Sequence, residues 1–138
     1  MEITTIGFTK HSAESFFSKL KSAGIQQLID VRINNVSQLA GFAKRDDLSF
    51  FLNRICGATY LHQPQLAPTN ELLKAYRDKE MSWLEYEKRF LDLMQSRRIE
   101  NEMSRDLFSV KTTLLCSEHT AEQCHRRLVV EYLNDHWG

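Results

Sequence analysis

Two hydrophobic rhythms alternate along this chain. Ile3-Thr4-Thr5-Ile6-Gly7-Phe8 is short, β-branched and closed by a glycine, which predicts a buried strand. Ser12 can cap a helix in which Ala13, Phe16, Leu20 and Ala23 recur at helical spacing, and Gly24 supplies its stop. Gln27 to Arg32 reads as a second strand, apolar until it meets charge at its end. A strand–helix–strand opening predicts parallel strands and a right-handed crossover. The polar stretch from Ile33 to Lys44 reads as a loop. Asp46 or Asp47 can cap the next helix, whose core face is marked by Leu48, Phe51, Leu52 and Ile55 and which ends at Gly57. Ala58 to His62 is a third strand, and a loop holding Pro64 and Pro68 follows.

A short helix is predicted around Glu71 to Arg77. Ser82-Trp83-Leu84-Glu85 is a capping box, and Trp83, Tyr86, Phe90 and Met94 share one face of the helix it starts. Ile99, Met103 and Leu107 suggest a further helical stretch. Val110 to Cys116 is a fourth strand, and the capping box Thr120-Ala121-Glu122-Gln123 opens a last helix to Asn134. Strands alternating with helices predict an α/β fold. The expected form is a single layered domain over residues 1–138, with a small, mostly parallel sheet of about four to five strands flanked by helices.

Composition narrows the function classes. The chain has 138 residues, 18 basic and 18 acidic, and its formal net charge is zero. That balance argues against disorder and against a broadly basic polyanion binder. Met1-Glu2-Ile3-Thr4 lacks the basic and apolar regions of a signal peptide, and no run of about 18 apolar residues is present to span a bilayer. With three cysteines, Cys56, Cys116 and Cys124, reduced thiols and a cytoplasmic location are expected. Charge is uneven all the same: residues 71–106 hold eight basic and nine acidic groups, whereas Ile55 to Asn70 hold none.

Ligands of α/β sheets bind outside the carboxyl ends of the strands. The reactive residues here collect at those predicted ends. Cys116-Ser117-Glu118-His119 leaves the fourth strand, and Cys124-His125-Arg126 enters the helix after it. Cys116 can be a thiolate nucleophile with His125 as its base. Cys116, Cys124 and His125 can instead be three zinc ligands. Each cysteine can equally be packed as a small apolar group. Asp30 can act as a general acid or base, or hold His125 or Arg126 in place. Arg32 and Arg126 can grip an anion, and Asp30 with Arg32 can also be a structural ion pair across neighbouring strand ends. Thr9, His11, Ser12 and Ser37 are possible hydrogen-bond donors, with Ser12 equally a helix cap. His62 reads as a satisfied loop histidine, Cys56 as core, and Trp83, Tyr86 and Phe90 as core rather than a stacking platform.

These motifs resemble the domain-of-unknown-function family 488 along nearly the whole chain. The resemblance rests on Thr5-Ile6-Gly7, on Asp30-Val31-Arg32 followed by Ser37 and Phe42, and on Tyr60-x-His62-x-Pro64-x-Leu66. It continues through Trp83-x-x-Tyr86, Leu114-Leu115-Cys116-x-Glu118 and Cys124-His125-Arg126. Two positions depart from it: Phe8-Thr9 follows Gly7 where His-Ser is common, and Asn35 stands where many relatives have proline. The resemblance implies a compact α/β fold with a shared polar site and supplies no reaction.

The expected function is therefore binding of, or action on, an anionic small molecule, in the manner of a nucleotide. Asp30, Cys116, Glu118 and His125 would be catalytic, and Arg32, Arg126, Ser37 and Thr9 would bind substrate. The residues leave enzyme and binding protein both open, as they do monomer and homodimer, and they define no cofactor. One alternative is a module binding protein or nucleic acid through the charged, aromatic segment 71–106, with nucleic acid not favoured. The other is the zinc site.

Overall fold

A computed structural model of the chain describes residues 3–7, 12–32, 44–116 and 125–137. Four strands, β1 (Ile3–Gly7), β2 (Gln27–Asp30), β3 (Thr59–His62) and β4 (Thr112–Cys116), form one sheet in the order β1-β4-β2-β3. Every pairing is parallel. The helices are α1 (Ala13–Ser22), α2 (Arg45–Phe51), α3 (Asn70–Arg77), α4 (Trp83–Ser96), α5 (Ile99–Glu102) and α6 (His125–Trp137). The α/β class and the parallel sheet expected from the alternation of elements are both present.

Local chemistry sets most boundaries. Ser12 Oγ accepts from Ser15 N at 3.1 Å to start α1, Thr69 Oγ1 accepts from Leu72 N at 3.1 Å for α3, and Ser82 Oγ accepts from Glu85 N at 3.2 Å for α4. α2 differs from expectation. Its N-cap is Lys44, which makes no side-chain cap bond, and Asp46 and Asp47 lie in the first turn. There they act through charge, next to the partly positive helix end. β4 begins at Thr112 rather than Val110, because Val110 is exposed and its carbonyl accepts from Thr112 Oγ1. The stretch suggested by Ile99, Met103 and Leu107 divides into α5 and a 3₁₀ turn over Arg105–Phe108. The loop from Ile33 to Ala43 and the capping box at Thr120 lie outside the described residues.

The parallel sheet is buried on both faces, and side-chain alternation along each strand feeds two cores. Ile6, Leu28 and Leu115 pack with Phe16, Phe17 and Leu20 of α1 and Leu48 of α2. Ile29, Val31 and Leu114 pack with Phe90 and Met94 of α4 and Leu128, Val129 and Leu133 of α6. Connection handedness explains this split. The chain moves from β1 to β2 to β3 in one direction across the sheet and returns from β3 to β4 in the other, so right-handed crossovers fall on opposite faces.

One core assignment is corrected. α2 runs into a π-helical turn over Leu52–Cys56, closed by Gly57 at φ +64°. Leu48 and Leu52 are fully buried, but Ile55 is 39% exposed. An α-helix would keep residues 48, 52 and 55 on one stripe. The wider π turn rotates Ile55 off it.

Candidate functional site

In register, Gly7 lies beside Cys116, and Asp30 beside both Leu115 and His62. The strand ends therefore share one edge. At that edge β4 is followed by α6 on one face, while its neighbours β1 and β2 are followed by α1 and α2 on the other. This is the switch in winding at which open α/β sheets form a crevice.

The end of β2 is the hub of this edge. Asp30 and Arg32 are two apart in extended chain and so face the same way. Asp30 Oδ1 accepts from Arg32 Nε at 2.8 Å and from the Arg32 backbone amide at 3.1 Å. Oδ2 accepts from Arg32 Nη2 at 2.7 Å and from Tyr60 Oη at 2.6 Å. With four donors the carboxylate is saturated, which suits an anchor better than a proton carrier. Both residues are buried. Such a pair adds little net stability over apolar packing, yet removing one member is costly.

Neighbouring elements hold the backbone of Asp30, Val31 and Arg32. Val31 N donates to Leu115 O at 3.0 Å and Gln63 N to Asp30 O at 3.0 Å, extending the ladders past the strand end. His62 Nε2 lies 2.8 Å from Arg32 O. His125 Nε2 lies 2.7 Å from Val31 O. A carbonyl only accepts, so both Nε2 atoms carry the proton.

For His125 that fixes the chemistry. Burial pushes the imidazole down to about 4, Arg126 pushes the same way, and the Val31 carbonyl and Asp30 oppose them only in part. At neutral pH His125 is therefore uncharged, with Nε2–H turned to Val31 and Nδ1 left as the accepting atom. Phe90 of α4 packs on its ring at 5.6 Å between centroids and helps exclude water. Arg126, the next residue, is 1% exposed. Arg127 points away, to Glu87 at 2.9 Å and over the Trp83 ring at 5.7 Å.

Of the sequence candidates, Asp30 and Arg32 pair directly, His125 joins them through the Val31 carbonyl between them, and Arg126 is buried beside His125 in the first turn of α6. Asp30 and Arg32 do form an ion pair, but within the end of β2 rather than across neighbouring strand ends, because the two residues share one side of the extended chain. Asp30 meets His125 through its charge, and the bond to His125 comes from the Val31 carbonyl. The backbone of Cys116 is placed at the end of β4 beside Gly7. Thr9, Ser37, Glu118 and Cys124 lie outside the described residues. Among the described residues no group of three His, Cys, Asp or Glu is placed to hold a metal. Nε2 of His125 is engaged by the Val31 carbonyl and is closed to a metal. His62 ranked low on sequence grounds, and it is satisfied as expected, but by the hub itself. Tyr60 was missed as a site residue. Its signal was present: Tyr60 and His62 alternate on β3, and their partners in register, Leu28 and Asp30, share that face.

Residues 30–32, 60–62 and 125, far apart in the chain, thus meet at the end of β2. A family model described as Domain of unknown function DUF488 matches residues 12–133. The chain belongs to the DUF488 family. No curated protein and no solved structure matches it. For this DUF488 chain the family confirms the resemblance read from the motifs and adds no activity. Among its described residues no helix is long and apolar enough to cross a membrane.

Proposed function

We propose that the crevice at the carboxyl end of β4 binds an anionic small molecule. The supporting observation is the burial of Arg126 and neutral His125, successive residues of the first turn of α6, with His125 bonded to the Val31 carbonyl between the paired Asp30 and Arg32. Arg126 grips the anion. Tyr60 holds Asp30, and Asp30 holds Arg32, which fixes the end of β2. Thr9 and Ser37 are the anion's hydrogen-bond donors in this reading. Cys116 is the nucleophile of this reading, Glu118 a further acid/base group, and His125 accepts a proton at Nδ1. A bound anion makes that nitrogen more basic, because nearby negative charge favours the imidazolium.

Calorimetric titration with inorganic phosphate and with adenosine monophosphate tests the reading. Saturable binding at one site is expected, with proton uptake revealed by repeating the titration in buffers of different ionisation heat. Arg126→Met should weaken it at least tenfold, about the effect of losing a charge-assisted contact, and Arg126→Lys should weaken it less. Binding that is indifferent to Arg126→Met refutes the reading, as does no binding by either probe at millimolar concentration.

A further inference from the structure

Away from this edge, a groove of about 370 Å³ opens between α1 and the α2–π-helical run. Ala13, Phe17, Phe51 and Ile55 line it with apolar surface, and Glu14, Ser18 and Lys21 edge it. Its volume falls in the range of small-molecule sites, roughly 300–1,000 Å³, and so does its make-up of apolar walls with few polar groups.

The helix departs from regular geometry at this groove. The stripe of residues 48, 52 and 55 would bury Ile55 in a continuous α-helix. The π turn gives up that burial and turns Ile55 to the groove instead. π turns are rare and are found disproportionately at functional sites. Beside it Phe50 is 54% exposed and stands against Phe51 at 5.6 Å between centroids, which extends the apolar surface.

Charge selects the kind of ligand. Glu14 and Lys21 are seven residues apart on α1, so they sit about 10 Å apart along the groove. Arg54, over the Phe50 ring at 5.2 Å, adds a second cation beside the groove, and Lys21 is exposed at its end. Cys56 next to it is half-buried, its thiol is raised by desolvation, and the Lys21 ammonium partly offsets that rise. Among the described residues no carboxylate forms an ion pair with Lys21. An ammonium beside an apolar wall offers a carboxylate a partner while the wall covers the ligand's apolar body. Glu14 at the far end repels a carboxylate and so sets the ligand's direction. No reaction is implied, since the Cys56 thiol donates to Phe17 O at 3.7 Å and its raised value disfavours thiolate.

We propose that this groove binds an amphiphilic carboxylate, with an acyl or aryl body on Phe17, Phe51 and Ile55 and its carboxylate at Lys21. The test is calorimetric titration of the full chain with octanoate and with octylammonium, backed by amide chemical-shift mapping. Octanoate should bind at one site, with shifts confined to α1 and residues 50–57, and octylammonium at least fivefold more weakly. Lys21→Met should weaken octanoate at least fivefold, while Glu14→Gln leaves it unchanged or tightens it. Ala13→Trp, at an exposed position, should fill the groove and abolish binding with an unchanged melting temperature; Ser18→Trp serves if the first variant melts early. The proposal is overturned by equal affinity for the two amphiphiles, or by octanoate binding that survives both Lys21→Met and the filled groove. It is also overturned by a dimer that Ile55→Asp dissociates and octanoate does not, which would assign the groove to a second copy of this chain.

Discussion

Acidification should destabilise this protein through His125 before its carboxylates are neutralised. The imidazole sits at about 4 in the folded protein, against an ordinary value of about 6.5 in an unfolded chain. Between those values the unfolded chain binds the proton and the folded protein does not. Stability therefore rises with pH across the window, is fully present above about pH 6.5, and is lost as pH falls toward 4. A tenfold difference in proton affinity is worth about 1.4 kcal/mol. The whole window comes to about 3 kcal/mol, and the part from about pH 7.5 down to about pH 5.0 to about 2 kcal/mol. For a domain of this size that is a fall of roughly 7 °C in melting temperature. Urea unfolding at several pH values in that interval measures it directly. His125→Gln supplies the reference, because it keeps an N–H able to reach the Val31 carbonyl and removes the titrating ring. The variant should be the less stable protein near neutral pH, and should lose about 2 kcal/mol less than the parent on acidification. Parallel stability curves for the two proteins would refute the assignment of a buried, neutral His125.

Other substitutions probe the same edge and the turns that support it. Tyr60→Phe removes the 2.6 Å bond to Asp30 and should cost about 1.5–3 kcal/mol, as for a hydrogen bond to a charged group, read by chemical denaturation. Asp30→Asn strips the carboxylate from the buried Arg32 guanidinium and should cost about 3–5 kcal/mol, whereas the double variant Asp30→Leu with Arg32→Met should cost clearly less; equal losses would contradict the charge argument. Gly57→Ala places a side chain at φ +64° where its Cβ meets no atom within 4 Å, so backbone strain of about 1–2 kcal/mol is the whole expected effect. Leu52→Ala removes a fully buried side chain and should cost about 2–5 kcal/mol in a thermal melt.

Much of the fold was legible because its causes are local. The strand at Gln27–Asp30, the cap at Ser12 and the stops at Gly24 and Gly57 follow from propensity, hydrogen-bonding chemistry and backbone freedom within a few residues. The π turn was not legible. Its stripe of Leu48, Leu52 and Ile55 is compatible with an α-helix, and only packing against α1 distinguishes the two. Among the candidate residues, Asp30, Arg32, His125 and Arg126 were legible because charge at the end of an apolar strand or the start of a helix is conspicuous. Their partners were not, because Tyr60 looks like any strand aromatic until register is known.

By itself, then, the sequence determined an alternation of strands and helices, a parallel sheet, and reactive groups at the strand ends. Periodicity and capping carry that information along the chain. Tertiary structure decided which of those groups touch. Placing β4 between β1 and β2 brings α6 against the end of β2, and only there does a carbonyl fix the His125 proton and burial make the ring neutral. Neutrality of charge over the whole chain gave no hint of it, since pKa values answer to neighbours within a few ångströms, and the fold chooses those neighbours.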